Sequence, residues 1–106
     1  MNRRNSLRAK VDLLVNRFID GHPYMCRMTD ISPNGARLVP LLEPRNAPRF
    51  MGLQFQLPGT DVVLTTAGEA MNGEMDARST GVRFTNLAPA SAQAIRRFVA
   101  DVAAAS

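Results

Sequence analysis

The sequence predicts a small, mainly β domain, an antiparallel barrel or sandwich closed by one C-terminal helix. Three observations predict it. Short runs rich in Val, Leu, Ile and Phe recur between Gly, Pro and Asn turn signals. Near residue 89 the apolar period changes from that of strands to that of a helix. A chain of 106 residues, 45% hydrophobic and 21% charged, suits one domain with a real core, neither disordered nor membranous.

Each element follows from its own pattern. Lys10–Asp20 reads as a strand rich in Val, Leu, Ile and Phe that ends at Gly21-His22-Pro23, a turn signal. Tyr24–Ile31 is a second strand, closed by Ser32-Pro33-Asn34-Gly35, and Ala36–Leu42 continues extended, so the two read as a hairpin. Glu43–Arg49 contains Pro44 and Pro48 and reads as a loop. Phe50–Leu57 alternates cleanly, with Leu53, Phe55 and Leu57 on one face and Gln54 and Gln56 on the other. Pro58-Gly59 turns the chain into Val62–Met71, a weaker strand whose Gly68 marks a candidate bulge. After the polar stretch Asn72–Ser79, Gly81-Val82-Arg83-Phe84 opens a last strand. Pro89 suits the first turn of a helix over about residues 89–103. Its stripe of Ile95, Phe98, Val99 and Val102 is expected to cover the barrel, with a dimer contact as the alternative.

Charge is distributed unevenly. Arg3, Arg4, Arg8 and Lys10 put +4 into the first ten residues, and the rest of the chain balances nine basic against nine acidic residues. A groove-sized DNA-binding face would spread such charge more widely, so a short basic arm (residues 1–9, ahead of a barrel domain over 10–106) suits a smaller anion. All basic residues but Lys10 are Arg, which offers a planar fork to phosphates and guanine edges, although genomic base composition alone gives the same bias.

Enzymatic and metal chemistry find little support. Cys26 stands alone, so neither an intrachain disulfide nor a cysteine zinc cage can form, and in a strand it reads as a small buried hydrophobe. His22, Asp30 and Ser32 could be named as a triad, but His22 sits in a turn and reads as exposed. There is no HExxH, Walker loop, GxGxxG or CxxC, so no catalytic residue, metal or cofactor is expected. No run of about 18 apolar residues and no secretory h-region occur, which points to a cytoplasmic protein without membrane contact.

Two short elements carry more. Arg4-Asn5-Ser6-Leu7-Arg8 is an RxxxR just ahead of the first strand, and Asp30-Ile31-Ser32-Pro33-Asn34-Gly35 is a DxSxxG at the hairpin turn. Alone each is weak. A second RxxxR, Arg45 to Arg49 in the Pro-rich loop, is the kind of chance match that twelve arginines produce, and DxSxxG is also an ordinary way to build a turn.

Order and spacing make the pair specific. An RxxxR before a strand, a DxSxxG one hairpin later, then GVRF and a closing helix resemble the PilZ domain family of bacterial cyclic di-GMP receptors, over nearly the whole chain. The resemblance implies a six-stranded antiparallel β-barrel with a C-terminal helix. It also implies a ligand site containing Arg4, Arg8, Asp30, Ser32 and Gly35. An Arg at the position of Arg3 is associated in the family with two stacked nucleotides rather than one; an exposed charge is the plain alternative. Arg37 would point from the same strand start toward the ligand or into solvent, and Arg83 should face solvent or the ligand side.

The residue types suit that ligand on chemical grounds. Cyclic di-GMP is a compact dianion with two guanines. Arginine can fork onto guanine O6 and N7 or onto a phosphate, or stack on a purine. Asp30 can accept from guanine N1–H and N2, Ser32 can donate or accept at the same base, and Gly35 admits close backbone approach. With nothing apolar to anchor residues 1–7, the arm is expected to be mobile without ligand and to fold onto the barrel with it. The output would pass to an unidentified protein effector, from a monomer or homodimer. Two other classes stand beside this reading. One is a PilZ-type adaptor that binds only protein; the other is a small basic nucleic-acid-binding barrel, for which Tyr24 and five Phe offer no evident stacking pair.

Overall fold

Two adjacent residues make the first hairpin. Asp20 (φ 52°) and Gly21 (φ 79°) both adopt the left-handed conformation, the mark of a two-residue type I′ turn, whose twist matches that of the strands it joins. The turn is therefore Asp20-Gly21 rather than Gly21-His22-Pro23. His22 and Pro23 already belong to the second strand, opposite Ile19 and Phe18. The computed structural model describes residues 7–42, 48–71 and 79–105. Its elements are β1 (Ala9–Ile19), β2 (His22–Ser32), β3 (Gly35–Pro40), β4 (Phe50–Gln56), β5 (Val63–Ala70), β6 (Thr80–Thr85) and α1 (Pro89–Ala105).

The six strands close into an antiparallel barrel in the order β1-β2-β3-β6-β5-β4, with β4 returning to pair with β1. Closure leaves no open sheet edge, and alternation sorts the side chains of each strand between interior and surface. Leu53, Phe55 and Leu57 are buried as their pattern predicts, with Val15, Met28, Ile31, Leu38, Leu64 and Val82. The rings of Phe55 and Phe84 stack with centroids 6.3 Å apart. Cys26 is wholly buried among them.

Gly68 is not a bulge. β5 pairs with β4 and β6 through Gly68 without a register shift. A methyl group there would stand 2.6 Å from Val82 Cγ1 and 3.2 Å from Leu53 Cδ1, so the interior is already full at that point. The register shifts fall instead between Lys10 and Leu13 on β1 and between Met28 and Asp30 on β2. Arg17 on β1 points inward, is fully buried and donates from Nη2 to the Leu42 carbonyl at 2.6 Å. Its aliphatic stem takes part in the packing while the guanidinium ties β1 to the chain leaving β3.

The helix covers the barrel beside β1 and β2. Ile95 and Val99 are buried, with Ala94, Phe98 and Val102 packed partly against the core, which is the stripe read from the sequence. Helical hydrogen bonding carries on to Ala105, past the expected end at residue 103. Among the described residues no helix is long and apolar enough to cross a membrane. The expected loop over 43–49 and the polar stretch 72–79 fall largely outside the described residues.

Candidate functional site

The site begins with a change of phase on β2. Met28 and Ile31 both point into the barrel and are fully buried, three residues apart instead of the usual two or four. The extra residue turns Asp30 outward, where strict alternation from Met28 would have placed it inside. Asp30 then lies opposite Lys10 on β1 and Arg37 on β3, and Arg37 in turn lies opposite Gly81 on β6. A second cross-strand row runs from Ser32 through Gly35 and Arg83 to Glu69.

These rows frame a depression of about 330 Å³ on the outer surface of the barrel. Gly35 and Gly81 contribute no side chains to it. Arg8, Asp30 and Arg37 stand on one side and Arg83 on the other, with Met71 beside Gly81. Arg8 reaches back from the start of the chain to Asp30, with Nη2 2.5 Å from Oδ1. Both groups keep solvent contact, at 49% and 25% side-chain exposure, so the pair is accessible to a ligand. Arg37 is exposed and donates to Ser79 Oγ at 3.2 Å.

Ser32 and Gly35 occupy different positions in this arrangement. Ser32 is fully buried; its Oγ accepts the Asn34 N–H at 3.2 Å and donates to the Gly35 carbonyl at 3.4 Å, which folds the β2–β3 turn. A methyl on Gly35 would stand 2.2 Å from the Val82 carbonyl oxygen, so the absent Cβ is what lets β3 and β6 approach. Both residues act on the site through the backbone they shape. Arg3 and Arg4 lie outside the described residues. His22 and Ser32 stand at opposite ends of β2, roughly 30 Å apart at the usual rise per strand residue. They cannot share a triad.

Next to the depression lies a cluster that the sequence did not suggest. Glu69 Oε1 accepts from Arg83 Nη2 at 2.5 Å, while Oε2 accepts from Arg49 Nε at 2.6 Å and lies 2.5 Å from Arg49 Nη2. The Arg83 and Arg49 hydrogen bonds hold the Glu69 carboxyl below its ordinary pKa, against an opposing contribution from burial. Arg49, part of the apparent chance RxxxR, thus has a defined partner. Sequence signals could have found neither this contact nor the roles of Met71 and Gly81, because all depend on strand register.

A larger hollow of about 570 Å³ lies between Leu57–Val62 and the helix residues Phe98 and Val102. Its lining is mostly apolar, and its two charged residues, Arg97 and Asp101, oppose each other. The depression at Arg8 and Asp30 instead gathers three guanidinium groups, those of Arg8, Arg37 and Arg83, around one accessible carboxylate.

A PilZ domain model matches residues 2–101. The chain belongs to the PilZ domain family. The two signature elements of the PilZ domain meet here at one place, since Arg8 touches Asp30 across the mouth of the turn that Ser32 and Gly35 build. Among solved structures, the Bacillus subtilis inhibitor of motility (MotI/DgrA) superposes with a TM-score of 0.81 at 16% identity. All of this PilZ chain is covered, but only 54% of that one, and at this identity the likeness concerns the fold. No curated protein matches the sequence.

Proposed function

We propose that this PilZ domain is a cyclic di-GMP receptor whose output is a changed surface offered to a partner protein, not a catalysed reaction. The observation that carries the reading is the accessible Arg8–Asp30 pair beside a pocket without side chains at Gly35 and Gly81. A guanine edge presents N1–H and N2–H to Asp30, and Arg8 turns its fork to O6 and N7 or to a phosphate. Arg37 adds a third polar group on the same side. The rearrangement is cheap, because an exposed ion pair is worth only about 0–1 kcal/mol and the nucleotide offers both partners a replacement. Ser32 and Gly35 keep the turn in shape beneath the base.

Arg3 and Arg4 precede Arg8 in the same basic arm of the sequence, and on this reading a further guanidinium at Arg3 serves a second, stacked nucleotide. On this reading the arm closes over the dianion as its charges are neutralised, and the ordered arm is the surface that the effector reads.

Calorimetric titration with cyclic di-GMP tests the proposal. Wild-type protein is expected to bind with a stoichiometry of one or two, and Arg8→Ala to weaken binding at least tenfold. Equal affinity of the variant would remove the site assignment. No binding by the wild type would leave a PilZ-type adaptor that recognises protein alone.

A further inference from the structure

Glu69 has an unusual position. It faces outward on β5, directly opposite Arg83 on β6, yet its side chain is only 9% exposed because two guanidinium groups cover it. Those two groups remain 60% (Arg49) and 59% (Arg83) exposed. A ligand approaching this surface therefore meets the cations, with the carboxylate beneath them. One carboxylate between two arginines leaves a net positive charge. Arg49 is held from a second side as well, with its guanidinium 5.5 Å from the Phe50 ring centroid. Arg83 differs, since it lines the depression that holds Arg8, Asp30 and Arg37. Its bond to Glu69 uses one of five N–H donors, which leaves most of the fork available to an acceptor in that depression.

We propose that Arg83 is an anion-contacting residue of this pocket, a phosphate partner facing Arg8 and Arg37, and that Glu69 is the positioning residue that sets its guanidinium toward the ligand. The inference rests on the reading of the pocket as a cyclic di-GMP site. It adds a cation from β6 that belongs to neither signature element. With Arg8 on one wall and Arg83 on the other, the two phosphates of the dianion can be held from opposite sides. The buried carboxylate restricts the Arg83 rotamers before the ligand arrives, which lowers the ordering cost of binding.

Titration of the full chain with cyclic di-GMP at several salt concentrations separates this from a general charge effect. Arg83→Ala is expected to weaken binding about tenfold and to flatten the salt dependence of the affinity. Arg96→Ala, which removes the same charge from the exposed face of the helix, should change affinity less than twofold. Glu69→Gln gives a test of sign. Removing a negative charge near a dianion would tighten binding by electrostatics alone, whereas loss of positioning weakens it, here by an expected three- to tenfold. In an Arg83→Ala background, Glu69→Gln should have no further effect, because its influence passes through Arg83. A general structural role for Glu69 would weaken binding in both backgrounds.

Wild-type affinity in Arg83→Ala, or unchanged or tighter binding in Glu69→Gln, overturns the inference. If Arg8→Ala loses binding while Arg83→Ala does not, the cyclic di-GMP reading stands and this inference alone falls. If the wild type does not bind the nucleotide, both fall together. Should Glu69→Gln fold poorly, the affinity and salt dependence of Arg83→Ala still decide the phosphate contact.

Discussion

Gly35→Ala discriminates between two uses of a signature glycine. If the residue were Gly because a ligand lies against it, Ala would spare the fold and impair binding. The structure points elsewhere. The new methyl would stand 2.2 Å from the Val82 carbonyl oxygen and 3.1 Å from the Arg83 Cα, both backbone atoms. An ordinary carbon-to-carbonyl contact is about 3.3 Å, so β3 and β6 must part locally by about 1 Å. The Phe84 N–H to Asn34 carbonyl bond, now 2.9 Å, would be stretched out of hydrogen-bonding range by that movement. Overpacking costs about 1–3 kcal/mol and a lost hydrogen bond about 1 kcal/mol, so the variant should be destabilised by roughly 2–4 kcal/mol. For a domain of this size that lowers the melting temperature by roughly 10–20 °C. Gly35 is not among the positive-φ glycines, so conformational strain adds little. Urea unfolding followed by circular dichroism measures the loss. A variant within about 0.5 kcal/mol of wild type would refute the reasoning and return Gly35 to a ligand contact.

Two further outcomes follow from the packing and the charge cluster. Ile95→Ala should cost about 2–5 kcal/mol, since Ile95 is fully buried on the barrel-facing side of the helix, and a loss under about 1 kcal/mol would mean that the helix does not seal the barrel. Glu69 contributes stability with a definite pH sign. Its folded pKa lies below the ordinary value of 4.5, so the contribution is present above that value and is lost as pH falls through the lower folded value. The stability gap between wild type and Glu69→Gln should therefore be constant near neutrality and narrow below about pH 4.5; a gap that widens with acid would contradict the assignment.

Much of the fold was readable because short-range rules governed it. The alternation of Leu53, Phe55 and Leu57, the DxSxxG turn and the spacing from Ile95 to Val102 each express one local period. Errors came where a local signal had two interpretations. Gly21-His22-Pro23 looked like a turn, but Asp20-Gly21 satisfies the left-handed geometry of a tight hairpin and leaves His22 and Pro23 in the strand. Gly68 looked like a bulge, but it is small because Val82 and Leu53 fill the space beside it.

The candidate site divides in the same way. By itself the sequence determined the strand-rich fold, the position of the excess charge and the two motifs that mark the family. Each is contained in composition or in the spacing of neighbours along the chain. Only the tertiary structure decided that Arg8 meets Asp30, that the β2 phase change turns Asp30 outward, and that Ser32 and Gly35 serve the turn and strand contact. It also brought Glu69 between Arg49 and Arg83, residues 20 and 14 positions away. Barrel closure fixes which strands become neighbours and in what register, and these contacts arise from that long-range pairing, which no local period encodes.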